Sequence, residues 1–137
     1  MTSQTATVAD RLVDALRVAD WDAIASTYAP DVLLDINLPT WRFQLQGREA
    51  ATQYFRENTS GLSNLRSFGQ QVHRTESGVI VEEEMRFDGD SGEYLWRAVD
   101  IFRIDGDTVT EHVQYCTGCW PPDQIARQAH EAPMVRW

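Results

Sequence analysis

The sequence predicts an α+β fold: a cone-shaped, curved antiparallel sheet wrapped on one face by three N-terminal helices. Two observations carry this expectation. Helical periodicity lies before Gly61, whereas residues 65–120 alternate as strand, with only short turn signals between the runs. Helices followed by a run of strands give a sheet covered on one side. The mouth of a strongly bent, covered sheet is a natural ligand site.

The elements follow in order. Val8, Leu12, Ala15, Leu16 and Ala19 recur at intervals of three and four, so residues 8–19 form a helix, with Thr7 as its cap. Asp20 caps a second helix over 21–28, which Pro30 stops. Residues 31–36 form a short strand that Asn37, Pro39 and Thr40 break. Helical spacing returns after Gly47, through Ala50, Ala51, Tyr54 and Phe55, and gives a third helix over 48–58. Four strands are expected over 67–75, 79–87, 94–104 and 109–120. The turns between them are short enough to join antiparallel neighbours, so they form a meander. Residues 122–131 add a last helical turn or two.

A chain of 137 residues is the size of one domain and one core. The expectation is a single domain over 1–137, with its core over about 8–120 and a tail over 121–137. The net charge of -9 repels a phosphate backbone, and the 12 basic residues form no run, so nucleic acid is excluded as a partner. No apolar stretch reaches the roughly eighteen residues of a membrane span. Residues 1–7 are polar and do not resemble a targeting segment, so the expected compartment is the cytoplasm.

Five strings resemble the nuclear transport factor 2 superfamily, and its SnoaL-like and ketosteroid-isomerase-like members in particular. They are Ala19-Asp20-Trp21-Asp22-Ala23-Ile24, Tyr28-Ala29-Pro30-Asp31-Val32, Gly47-Arg48-Glu49-Ala50-Ala51, Asp100-Ile101-Phe102-Arg103-Ile104-Asp105-Gly106 and Val109-Thr110-Glu111-His112. Their order and spacing span residues 8 to about 118. Members of this superfamily run isomerisation, cyclisation, dehydration and epoxide opening in one pocket, and others only bind, so the fold leaves the function to be argued from the site.

The resemblance places Asp100 where ketosteroid isomerases keep a carboxylic acid that stabilises an oxyanion. That role needs apolar surroundings that keep the acid protonated. The alternative is an aspartate paired with an arginine in the sheet. Trp96 and Ala98 share Asp100's face of the strand. His112, Gln114 and Cys116 alternate along the last strand, on the face that the resemblance turns inward. His112 is the candidate for proton transfer, since an imidazole titrates near neutrality; the alternative is a structural histidine. Gln114 stands where epoxide hydrolases of this superfamily carry an aspartate, which argues against epoxide opening. Asp35 lies near the position of the isomerase base, one residue early, and Leu12 replaces the isomerase tyrosine.

Three adjacent glutamates, Glu82, Glu83 and Glu84, must split between two faces. The register that buries Val81, Met85 and Phe87 buries Glu83 with them; the alternative is a solvated acidic edge. Cys116 and Cys119 have the spacing of redox and zinc motifs but lack a second pair, so no metal is expected. Most aromatics belong to the core. Trp41, in the irregular stretch before the third helix, is expected at the pocket mouth, and Tyr54 and Trp96 are expected along the pocket.

The resulting expectation is a pocket protein for a small, apolar, oxygenated molecule, acting by acid–base chemistry of the isomerase, cyclase or dehydratase kind without a cofactor. Asp100, His112 and Asp35 are the catalytic candidates. Trp41, Tyr54, Glu83, Trp96, Gln114 and Cys116 are the substrate contacts. The alternative is a non-catalytic binding or dimeric scaffold domain. Val99, Ile101 and Val113 point outward in this register, and such an apolar patch implies a homodimer.

Overall fold

The computed structural model describes residues 3–136; Met1 and Thr2 of the polar N-terminal segment, and Trp137 of the tail, lie outside the described residues. The chain runs α1 (Ser3–Arg17), α2 (Trp21–Ala25), β1 (Tyr28–Leu38), β2 (Trp41–Gln46), α3 (Arg48–Thr59), β3 (Ser63–Thr75), β4 (Gly78–Gly89), β5 (Gly92–Asp105), β6 (Thr108–Cys116) and α4 (Pro122–Glu131). Six strands form one curved, unclosed sheet in the order β2-β1-β6-β5-β4-β3, antiparallel except where β1 lies parallel to β6. This is the expected α+β architecture, with helices packed on one face of the sheet.

Helix α1 buries Val8, Ala9, Leu12, Val13, Ala15 and Leu16 as one stripe. It starts earlier than its apolar periodicity suggests, and Thr7 is not its cap. The Thr7 hydroxyl lies inside the helix and donates to the Ser3 carbonyl at 2.9 Å. The chain leaves α1 through Ala19 at φ 55°, and Asp20 then caps α2 by accepting from the Ala23 N–H at 3.0 Å. Helix α2 stops at Ala25, before the expected Tyr28. Tyr28 instead opens β1, because its backbone pairs with Val109 of β6.

The expected short strand and irregular stretch are in fact a hairpin of β1 and β2. Trp41, Phe43 and Leu45 alternate with Arg42, Gln44 and Gln46, a period of two that pairs Ile36 with Phe43 and Leu34 with Leu45. Arg48, at the start of α3, donates from Nε and Nη2 to the Tyr28 carbonyl at 2.9 and 2.7 Å, which ties α3 to the start of β1.

Strands β3 to β6 form the expected meander. The last strand is shorter than its apolar run, because Gly118 at φ 77° turns the chain. Trp120 then bridges back to Leu95, each N–H donating to the other's carbonyl at 2.7 and 3.2 Å. The tail holds a ten-residue helix, α4, with no buried residue. The core lies between the helices and the concave face of the sheet, where Leu34, Ile36, Val79, Val81 and Phe102 meet the α1 stripe. No helix among the described residues is long and apolar enough to cross a membrane.

Candidate active site

Alternation in three strands brings polar side chains to the concave face, inside the core. Asp100 of β5 pairs with Gln114 of β6, and Phe102 pairs with His112 one step along. On the other side, Val81 of β4 pairs with Asp100, so Glu83 stands diagonal to it on the same face. Asp100 and His112 are fully buried, Glu83 is 1% exposed and Gln114 6%. The register expected for Glu82, Glu83 and Glu84 is the one found. Glu82 and Glu84 face outward, where Glu82 meets His73 Nε2 at 2.8 Å and Glu84 meets Arg86 Nη2 at 2.7 Å.

The buried groups form a row. The Tyr28 hydroxyl lies 2.7 Å from His112 Nδ1, and His112 Nε2 lies 2.6 Å from Asp100 Oδ1. The Gln114 amide donates to the same Asp100 oxygen at 3.0 Å. Burial, reinforced by the charge of Asp100, pushes the Tyr28 phenol well above its ordinary value. Tyr28 therefore keeps its proton, and because Nδ1 is the one partner of this buried hydroxyl among the described residues, it donates there, which leaves the proton of a neutral ring on Nε2, aimed at Asp100. Two donors thus converge on Asp100 Oδ1. At Oδ1 Asp100 accepts, and its Oδ2 has no hydrogen-bond partner among the described residues.

His112 is walled in as well as bonded at both nitrogens. Its ring stacks on Phe102 with centroids 4.1 Å apart and on Phe55 at 5.5 Å. Burial, followed by the charge of Asp100, pushes the Glu83 carboxyl well above its ordinary range.

A cleft of about 260 Å³ opens above this row. Trp21, Tyr54, Phe55, Phe87 and Trp96 supply aromatic walls, and Gln114, Cys116, Asn58 and Thr59 supply polar atoms. Among the described residues no arginine or carboxylate lines it. Gln114 and Phe55 reach both the cleft and the buried row. The Trp21 indole N–H, on the cleft wall, is buried without an acceptor among the described residues.

Of the candidate residues, Asp100, His112, Glu83 and Gln114 come together, and Tyr54, Trp96, Gln114 and Cys116 line the cleft. Two do not join them. Asp35 lies on the opposite face of β1 from Leu34 and Ile36, and its carboxylate takes Arg42 Nη2 at 2.7 Å, Arg42 Nε at 3.0 Å and the Gln44 amide at 3.2 Å. The Arg42 bonds hold it below the usual carboxylate range. Trp41 is 67% exposed at the start of β2, away from the cleft. Cys116 and Cys119 are free thiols that both line the cleft, and burial pushes both up, so they stay protonated. No group of three or more potential ligands that could hold a metal forms among the described residues.

Sequence reasoning missed Tyr28, Phe55 and Phe102 as members of the site. Phe102 was reachable, since it shares the alternation of Asp100. Tyr28 was not, because its place depends on the parallel pairing of β1 with β6.

Among solved structures, the chain is similar to an NTF2-like protein of unknown function from Cytophaga hutchinsonii, with a TM-score of 0.67 and 16% identity over 82% of this chain and 98% of that one. A protein with a ketosteroid isomerase-like fold from Catenulispora acidiphila, solved with trimethylamine, gives 0.63 and 13% over 92% and 94%. An LEH-like epoxide hydrolase from M. tuberculosis gives 0.60 and 12% over 84% of each chain. At these identities the likeness is one of fold. No curated protein matches the sequence. The model of the SnoaL-like domain matches residues 9–112, and this chain, built on the NTF2-like fold, belongs to the SnoaL-like domain family.

Proposed function

We propose that the protein binds a small, neutral, apolar and oxygenated molecule in the aromatic cleft and moves a proton on it, in an isomerisation, cyclisation or dehydration that needs no cofactor. The observation that carries this reading is the row Tyr28–His112–Asp100, buried directly beneath the cleft and linked to it by Gln114. A hydrogen-bonded row of titratable groups under an apolar cleft is costly to fold and suited to proton transfer.

The roles follow from the geometry. His112 has no free nitrogen and no open edge to the cleft, so it acts behind Asp100 as a positioning residue. Asp100 is the group that exchanges the proton. A substrate oxygen that takes the Gln114 amide as its own donor frees Asp100 Oδ1 toward the cleft. The unpartnered Trp21 N–H offers a second donor to such an oxygen.

The same enclosure of His112 favours a second reading, a binding domain in which the row only shapes the cleft floor. One experiment separates the two. Neutral aromatic ketones and phenols are screened for thermal stabilisation, and hits are assayed for turnover by the parent, Asp100→Asn and His112→Gln. The proton-transfer reading expects Asp100→Asn to bind a hit but lose on the order of 10²-fold or more in turnover, with a smaller loss for His112→Gln. Equal turnover by the parent and Asp100→Asn, or binding with no turnover by any form, leaves the binding domain.

The partner proposed alongside the ligand is a second copy of this chain, docked through the convex face of the sheet. The half-buried Val99 and Ile101 and the half-exposed Tyr115 form an apolar strip there, flanked by the Arg42–Asp35 and Arg103–Glu111 pairs, while Val113, expected to be exposed beside them, is buried at 7%.

A further inference from the structure

The three consecutive glutamates of β4 provide an internal comparison. Glu82 and Glu84, on the convex face, each meet a partner that can carry positive charge. Glu83, on the concave face, meets none. From β3 it faces Gln70, from β5 Ala98 and Asp100, and from β6 the Cys116 thiol, with His112 beyond Asp100. From α1 only the Val13 carbonyl reaches this corner, and it takes the Gln70 amide N–H at 3.2 Å.

Four oxygens are left over. Glu83 Oε1 and Oε2, Asp100 Oδ2 and Gln70 Oε1 are all buried, and no donor reaches any of them among the described residues. All four are acceptors, so with both carboxyls ionised the corner holds two negative charges and no hydrogen to share between them. A buried carboxylate without a cation or donor is strongly disfavoured, and two beside each other more so. One proton relieves both costs. Its location follows from the groups present: His112 Nε2–H and the Gln114 amide stabilise charge on Asp100, whereas on Glu83 only the Gln70 side chain favours the charge, and burial and the neighbouring Asp100 outweigh it.

We infer that Glu83 is a carboxylic acid in the folded protein and donates its proton to Asp100 Oδ2, so that the two carboxyls beneath the cleft form an acid–carboxylate pair. Glu83 is then a positioning residue. It holds one oxygen of Asp100 from behind, while His112 and Gln114 hold the other, and the carboxylate plane is fixed on three sides. The direction of the Glu83 shift agrees with this placement. The catalytic meaning of the pair rests on the proposed role of Asp100; its existence does not, and it can be tested without a substrate.

The test is a carboxyl-carbon NMR titration of the full chain from about pH 4 to about pH 9, with Glu83→Gln assigning the signal. The expected result is a Glu83 carbon that stays at its protonated position through neutrality, well past the usual glutamate value of about 4.3. A Glu83 carbon that titrates near that usual value overturns the inference.

Stability gives a second readout. A carboxyl raised in the folded state binds more protons there than in the unfolded chain, so it weakens the fold as pH climbs above about 4.3 toward the folded value. Glu83→Gln keeps a donor for Asp100 Oδ2 and cannot ionise. Its urea midpoint should therefore gain on the parent as pH rises from about 5 to about 8, and parallel curves for the two proteins count against the pair. If Glu83→Gln fails to fold, the parent's titration, with Glu83→Asp to assign it, still decides.

Discussion

At the scale of single residues, the interior of this protein is arranged around one acceptor oxygen. Asp100 Oδ1 takes two donors, and the imidazole among them is oriented by Tyr28. Tyr28→Phe removes the phenol's proton from Nδ1 and leaves that nitrogen buried without a partner. A loss of about 1–3 kcal/mol in urea denaturation is expected, together with a change of ring tautomer visible by nitrogen NMR. An unchanged tautomer would show that Tyr28 does not set it. Asp35 is the opposite kind of acid. Arg42 holds its carboxyl low, so its contribution to stability is present above the unfolded value of about 3.9 and is lost as pH falls through the lower folded value. Arg42→Ala should therefore move the acid-unfolding flank to higher pH. Superimposable acid flanks would mean that the pair is inert in solution.

At the scale of elements, the β4–β5 pairing carries both halves of the site, with Glu83 on one strand and Asp100 on the other. Its far end is sealed by a close approach. A Cβ on Gly78 would stand 1.9 Å from the Phe102 carbonyl oxygen, and Phe102 is the ring that supports His112. Gly78→Ala must push β4 from β5 and is expected to cost about 3 kcal/mol or more, read from the urea midpoint. Gly61→Ala is the control, since nothing lies within 4 Å of its added carbon; a shift below about 1 kcal/mol is expected. If both variants behave alike, the pairing is looser there than its geometry implies. The β1–β2 hairpin was legible as period two in Trp41, Phe43 and Leu45, but Pro39 and Thr40 read as the end of structure rather than as its turn. Pattern alone does not distinguish a turn within a sheet from the edge of one.

At the scale of the whole molecule, one sheet divides two chemistries. Its concave face meets the helices, the cleft and the buried row, and its convex face is ion-paired around an apolar strip. A homodimer through that strip is expected, with a dimer mass by light scattering at micromolar concentration and a monomer for Ile101→Glu of otherwise normal fold. A monomer mass for the parent would remove the dimer and leave the strip unexplained.

The sequence by itself determined what depends on near neighbours. Periodicity set α1 and α3 and the four-strand meander, and strand alternation put Glu83 with Val81 and Met85, and Asp100 with Trp96, because side-chain direction in a strand follows from parity alone. The tertiary structure decided what depends on distant pairing. The parallel seam of β1 and β6 sends Tyr28 to His112 across 84 residues of chain, and the same sheet turns Asp35 to the far face, where Arg42 claims it. Protonation was also beyond the sequence. Whether an acid is charged depends on the donors and burial around it, and those exist only once β3, β4, β5 and β6 lie side by side.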